Sequence, residues 1–154
     1  MVPQESAITP ELKALVGKEF PPTTWEVTKG DIIRFAQAIE DPNPLWNDEK
    51  QARLSRYGGL IAPPSFLASL VNQEATRLLF DMPTPLKRVL NGGNELESYQ
   101  PIRPGDRITV TEKVVNLREG QGTLGHMLFI ITEATYTNQL GEAVARGRNT
   151  FIRY

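Results

Sequence analysis

The hydrophobic period of this chain changes partway along its length, and that change constrains the fold more than any other feature. From about Leu86 onward the period is two. Ile108, Val110, Glu112 and Val114 alternate with Thr109, Thr111, Lys113 and Val115, and His126 to Tyr136 and Ala143 to Ile152 are two further long runs. Period two sends successive side chains to opposite faces, as a strand with one buried face requires. Gly120 to Gly125 separates the first two runs and Asn138 to Gly141 makes a turn between the last two. Three long strands are therefore expected to meander antiparallel.

Residues 11 to 80 read differently, as mostly helical with one strand near Thr23 to Val27. Thr28 and Asp31 form a capping pair, and Ile32, Phe35, Ala36 and Ile39 then fall on one helical face before Asp41-Pro42 ends the run. Asn47 is placed to cap a second helix through Asp48 to Arg56, with Gly58-Gly59 closing it. Pro63-Pro64 opens a third, from Ser65 to about Leu79, apolar at Phe66, Leu67, Leu70, Val71, Leu78 and Leu79. About 15 residues at 1.5 Å rise would make it roughly 22 Å long, and a helix apolar on several sides is normally wrapped by other structure.

A chain of 154 residues with 40% hydrophobic residues can bury one core, so a single domain over 1–154 is expected. Seventeen Lys and Arg against eighteen Asp and Glu give a net charge of −1 with no run of like charge, which argues against nucleic acid as a partner. The absence of cysteine removes disulfides and thiolate chemistry. Met1 to Pro10 has neither a basic start nor an apolar stretch, and no segment approaches the roughly 18 apolar residues of a membrane span. A soluble, cytoplasmic protein is the expectation, with no metal and no cofactor, since no cluster of His, Asp and Glu has ligand spacing.

Three spaced motifs carry the functional signal. Asp41-Pro42-Asn43-Pro44-Leu45-Trp46 is followed by Tyr57-Gly58-Gly59-Leu60-Ile61-Ala62-Pro63-Pro64, and then by Asn91-Gly92-Gly93-Asn94-Glu95 through Pro104-Gly105-Asp106. In this order they resemble the MaoC-like family of (R)-specific enoyl-CoA hydratases and 3-hydroxyacyl-thioester dehydratases, from about Gly17 to Tyr154. The likeness is greatest to the amino-terminal type of MaoC-like domain, where Ala-Pro-Pro often precedes the central helix. It implies the α+β hot-dog fold, a curled antiparallel sheet wrapped around a central helix, and a place in acyl-CoA and fatty acid metabolism. In the family the first segment usually reads Asp-x-Asn-x-x-His. Here Trp46 stands in the histidine's place.

The chemistry explains why the family pairs Asp with His. Hydration of an enoyl thioester needs one group to take a proton from water and another to deliver one to the carbon beside the carbonyl. The carbonyl oxygen gains negative charge on the way, and amide N–H groups at a helix start are suited to meet it. Pro63 and Pro64 have no N–H to give, so usable donors begin at Ser65. By the resemblance, Asp41 is the remaining catalytic residue. Asn43, Trp46, Ala62, Pro63, Pro64, Ser65, Asn91, Gly92, Gly93 and Arg103 are candidate substrate contacts, with Arg103 and Arg107 placed for CoA phosphates.

Each of these has a plain structural alternative. Asp-Pro-Asn-Pro after a helix is ordinary turn chemistry, in which Asp and Asn bind their own backbone. Trp46 can fill space, since an indole N–H only donates and does not titrate usefully. Gly92 and Gly93 can form a bulge, and the single histidine, His126, lies in an expected strand where a structural role is the usual one.

The expectation is a lyase subunit acting on an acyl-CoA or acyl-carrier thioester, paired with a second MaoC-like subunit that supplies Asp and His. Its alternatives are a self-sufficient homodimeric hydratase, a hot-dog thioesterase using a carboxylate-activated water, and a non-enzymatic acyl-CoA-binding or scaffold subunit.

Overall fold

The computed structural model describes residues 5–154; the first four residues of the amino-terminal stretch discussed above lie outside the described residues. The chain runs α1 (Pro10–Lys13), β1 (Thr23–Glu26), α2 (Lys29–Ala38), α3 (Pro44–Asn47) and α4 (Glu49–Arg53). A 3₁₀ helix (Pro64–Ser69) and α5 (Gln73–Asp81) follow, then β2 (Val89–Ser98), β3 (Arg107–Gly122), β4 (Gly125–Thr137) and β5 (Ala143–Arg153). The strands form one antiparallel sheet in the order β1-β3-β4-β5-β2. Among the described residues, no helix is long and apolar enough to cross a membrane.

The three long strands stand on the alternating runs, but β3 runs on through Gly120–Gly122, paired with β4, so that only Thr123 and Leu124 part the two strands where a break from Gly120 to Gly125 was expected. Ile108, Val110, Leu128, Ile130, Ala134, Tyr136 and Val144 carry the sheet's buried face. Against it pack Phe66 and Leu67 of the 3₁₀ helix, Ile32 and Ala36 of α2, and Trp46 of α3. Phe35 meets Phe66 edge to face, with ring centroids 5.5 Å apart. A second cluster joins Leu12 and Phe20 to Ala75 and Leu79 of α5 and to Val114, Leu128 and Ile130. Thr28 and Asp31 close the expected capping box at the start of α2.

Three further local expectations are corrected. Asp48, not Asn47, caps α4, accepting from Lys50 N and Gln51 N, and α4 stops at Arg53. The helix expected from Ser65 to Leu79 is broken: the 3₁₀ turn ends at Ser69, Leu70 is extended at ψ 83°, and α5 restarts at Gln73. The fully buried Asn72 accounts for the break. Its Oδ1 caps α5 by accepting from Ala75 N (2.9 Å), while its Nδ2 donates to Pro21 O (2.9 Å) and Val110 O (3.0 Å). One side chain thus fastens the helical layer to β3, which a continuous helix would prevent.

The third correction adds a strand. β2, Val89–Ser98, pairs along β5 at the sheet's edge, and Asn91-Gly92-Gly93 lies within it as a register shift. Gly92 is needed by packing, since a Cβ there would stand 2.9 Å from Ile152 Cδ1, and Gly93 takes φ +149°. Both faces of β2 are largely exposed, including Leu90, Leu96 and the adjoining Tyr99.

Candidate functional site

The turn between α2 and α3 is built from its own side chains. Asp41 N donates to Ala36 O at the end of α2, after Glu40 reverses the chain with φ 54°. Asp41 Oδ1 accepts from Asn43 N (3.0 Å), and Asn43 Oδ1 accepts from Leu45 N (3.0 Å), which caps α3. Asn47 Nδ2 then donates back to Asp41 O (2.7 Å) and Asn43 O (3.0 Å). Asp41 remains half-buried.

Trp46, the third residue of α3, lies in the main core with Ile32, Ala36, Ile61 and Ile102, at 9% exposure. Its Nε1 is buried and has no hydrogen-bond partner among the described residues. The position offers shape and an apolar wall, and no titratable group.

Backbone bonds bring the motif segments together. Ile61 N donates to Leu45 O (3.1 Å) and Ala62 N to Ile102 O (2.8 Å). Arg103 N donates to Asp106 Oδ2 (2.8 Å), forming the Pro104-Gly105-Asp106 turn, and Arg103 Nη1 donates to Tyr57 O (2.8 Å). Asp41–Asn47, Tyr57–Ser65 and Ile102–Asp106 therefore form one contiguous region. Ala62, Pro63 and Pro64 line a cavity of about 220 Å³ there, facing Tyr99 and Gln100; Asp41 and Trp46 do not line it. Ser65 is exposed at the start of the 3₁₀ helix, and Phe66 N is already spent on Pro63 O (2.9 Å).

Asn91, Gly92 and Gly93 are not part of that region. Asn91 lines a separate cavity of about 270 Å³ between β2, β5 and α5. His126 lies at the β3–β4 hairpin, where its Nε2 meets Glu119 Oε1 at 3.0 Å; the same carboxylate accepts from Ala7 N (2.5 Å) and Ser6 Oγ (2.9 Å). It fastens the amino-terminal segment to the hairpin. Arg107 opens β3 and donates its N–H to Gln139 Oε1 (3.1 Å).

One group that motif reasoning passed over is Glu112. It sits 7% exposed in the otherwise apolar row of β3, and burial pushes its carboxyl up against the opposing pull of hydrogen bonds from Thr132 and Asn149. Nearby Tyr136 is pushed up to about 12, by burial first and the Glu112 carboxyl second. The signal was in the sequence, since a carboxylate in register with Ile108, Val110 and Val114 has to be buried or break the alternation.

Comparison with known proteins agrees with this architecture. The family model described as "FAS1-like, dehydratase domain region" matches residues 14–147. A protein from Saccharopolyspora erythraea designated UPF0336 is 31% identical over 144 residues, covering 91% of this chain and 89% of its own length. A probable enoyl-CoA hydratase alpha subunit from Thermomonospora curvata is 31% identical over 140 residues, 80% of this chain but 43% of that protein. The solved structure of a MaoC-like dehydratase from Rhodospirillum rubrum superposes with TM-score 0.69 at 30% identity, covering 93% of this chain and 95% of its own.

Proposed function

The chain belongs to the FAS1-like dehydratase family of MaoC-like hot-dog proteins, and we propose that it is the non-catalytic partner in an enoyl-CoA hydratase or 3-hydroxyacyl-CoA dehydratase. It shapes an acyl-thioester site whose acid/base pair comes from a second hot-dog subunit bearing Asp and His. The observation that carries this reading is Trp46: the motif's histidine position is occupied by a core side chain with a buried, non-titrating indole. Each general acid or base typically contributes about 10²- to 10⁴-fold, so a chain without one is a poor hydratase alone.

The rest of the site fits a supporting role. Asp41 has one carboxylate oxygen committed to Asn43 N, which holds the turn in shape. On this reading Asp41, Asn43, Ala62, Pro63, Pro64, Ser65 and Arg103 form this chain's rim of the thioester channel, with Arg103 facing the CoA or carrier arm. Asn91, Gly92 and Gly93 border the acyl end. The exposed edge strand β2 supports pairing, because a ten-residue strand at the end of a sheet, with one hydrogen-bonding edge free and apolar side chains on display, is normally covered. The name of the Thermomonospora curvata relative, an alpha subunit, accords with a multi-subunit enzyme.

The test is co-expression with neighbouring reading frames that encode Asp-x-Asn-x-x-His, followed by mass measurement of the intact complex. A heteromer of this chain with such a partner is expected, burying an interface on the order of 2,000 Å² or more. A chain that stays homodimeric beside those partners and hydrates enoyl-CoA unaided contradicts the proposal.

A further inference from the structure

One row of polar groups crosses four strands on the sheet face beneath the helical layer. Thr132 Oγ1 on β4 donates to Glu112 Oε1 on β3 (2.5 Å), and Asn149 Nδ2 on β5 reaches the same oxygen at 3.5 Å. Asn94 Nδ2 on β2 donates in turn to Asn149 Oδ1 (3.0 Å). The row thus runs from the interior of the sheet to its exposed edge strand, and the edge end stands just past the Gly92-Gly93 irregularity. Glu112, Asn149, Asn94 and Tyr136 all line the cavity of about 270 Å³, whose other walls include Val71, Leu79, Phe80 and Phe151.

Burial in this cavity makes the ionised carboxyl of Glu112 costly and favours the form that keeps its proton. Both hydrogen bonds to Glu112 fall on Oε1, so the acid proton belongs on Oε2, which has no partner among the described residues. A protonated carboxyl has one O–H to donate. A plain hydrocarbon lying in this cavity would leave that donor unpaired, whereas a carbonyl or hydroxyl oxygen at the right depth would accept it. The cavity is at the small end of the range for ligand pockets, suited to a chain rather than a bulky ring system.

We propose that this cavity takes an acyl chain bearing an oxygen function along its length, a keto or hydroxyl group, which Glu112 recognises by a hydrogen bond. The acyl nature of the ligand rests on the thioester reading above; the oxygen function rests on the polar row itself. No bond is made or broken in this role, and Glu112 acts in specificity rather than in proton transfer.

The experiment is calorimetric titration of the full chain with dodecanoic acid and with a positional series of oxododecanoic acids, each also as its CoA thioester. At one position of the series the oxo acid should bind about tenfold more tightly than dodecanoic acid, the factor of one net hydrogen bond. That advantage should survive in Glu112→Gln, whose amide still donates, and vanish in Glu112→Leu. Thr132→Val, which frees Oε1 to take the proton while keeping the fold's volume, should weaken the advantage and serves if Glu112→Leu fails to fold. No binding of any chain, no preferred position, or a preference unchanged in Glu112→Leu or Thr132→Val would overturn the inference. An oxo preference with equal affinity for free acid and thioester would uphold it while contradicting the thioester function.

Discussion

Replacing Trp46 by alanine, phenylalanine and histidine separates a core residue from a residual active-site group. Trp46 is 9% exposed and packs with Ile32, Ala36, Ile61, Ala62 and Ile102. Removing a buried tryptophan down to alanine costs about 3 to 5 kcal/mol, from lost transfer energy and the cavity left behind. Against a total stability of about 5 to 15 kcal/mol this is a large fraction, and with a urea m-value of about 2 kcal/mol/M it moves the unfolding midpoint by about 2 M. Phenylalanine loses part of the ring but also removes an indole N–H that is buried without a partner, a group whose desolvation costs about 1 to 3 kcal/mol. The two effects oppose each other, so Trp46→Phe should change stability by less than about 1.5 kcal/mol. Histidine restores the family pair in name but puts a polar ring among apolar neighbours, and crotonyl-CoA hydration by Trp46→His should be at most a trace. The assay is equilibrium urea denaturation followed by far-ultraviolet dichroism, with hydration read by the loss of enoyl absorbance. An alanine loss below about 1 kcal/mol would show that the site is open, and a phenylalanine loss equal to alanine's would show that the indole N–H has an essential partner; either refutes the packing argument.

Two further outcomes follow from the buried polar groups. Asn72→Ala removes a helix cap and two tertiary hydrogen bonds at once, so a loss of about 3 to 5 kcal/mol is expected in the same denaturation assay. Asn72→Asp keeps the cap oxygen but turns a carboxylate toward the carbonyls of Pro21 and Val110 in a fully buried site and should lose at least as much; a loss under about 1 kcal/mol for Asn72→Asp would deny Nδ2 its part. Burial raises the carboxyl of Glu112 above its ordinary 4.5 in the folded chain, so its contribution is fully present below that value and is lost as pH rises through the folded pKa. Glu112→Gln should therefore gain stability relative to the natural chain as pH climbs from below 4.5 to neutrality, and parallel stability curves for the two proteins would contradict this.

How much of this could be read from sequence depended on whether the responsible interaction was local. The three long strands were legible because each buries one face, so period two is written into β3, β4 and β5. The Thr28–Asp31 box and the Asn138–Gly141 turn were legible because their partners lie within four residues. β2 was not recognised as a strand, since both of its faces are exposed and the alternation that marks the others is absent; only pairing with β5 defines it. The break at Leu70–Asn72 was hidden for a related reason. Asn72 interrupts an apolar helical pattern in order to reach Pro21 and Val110, residues 51 and 38 positions away. Within the site, the meeting of Asp41–Asn47 with Tyr57–Ser65 and Arg103 was anticipated by the motifs, whereas Asn91–Gly93 falls beside a different cavity.

The account turns on where the acid/base pair resides, and one measurement addresses that directly: the hydration rate of crotonyl-CoA and longer enoyl-CoAs by the purified chain, alone and in complex with the Asp/His-bearing partner. The account predicts little or no turnover alone, unaffected by Asp41→Asn, and turnover in the complex that is lost when the histidine of the partner's motif is changed to alanine. Turnover by the chain alone within about tenfold of the complex, abolished by Asp41→Asn, would place the catalysis in this chain and contradict the account.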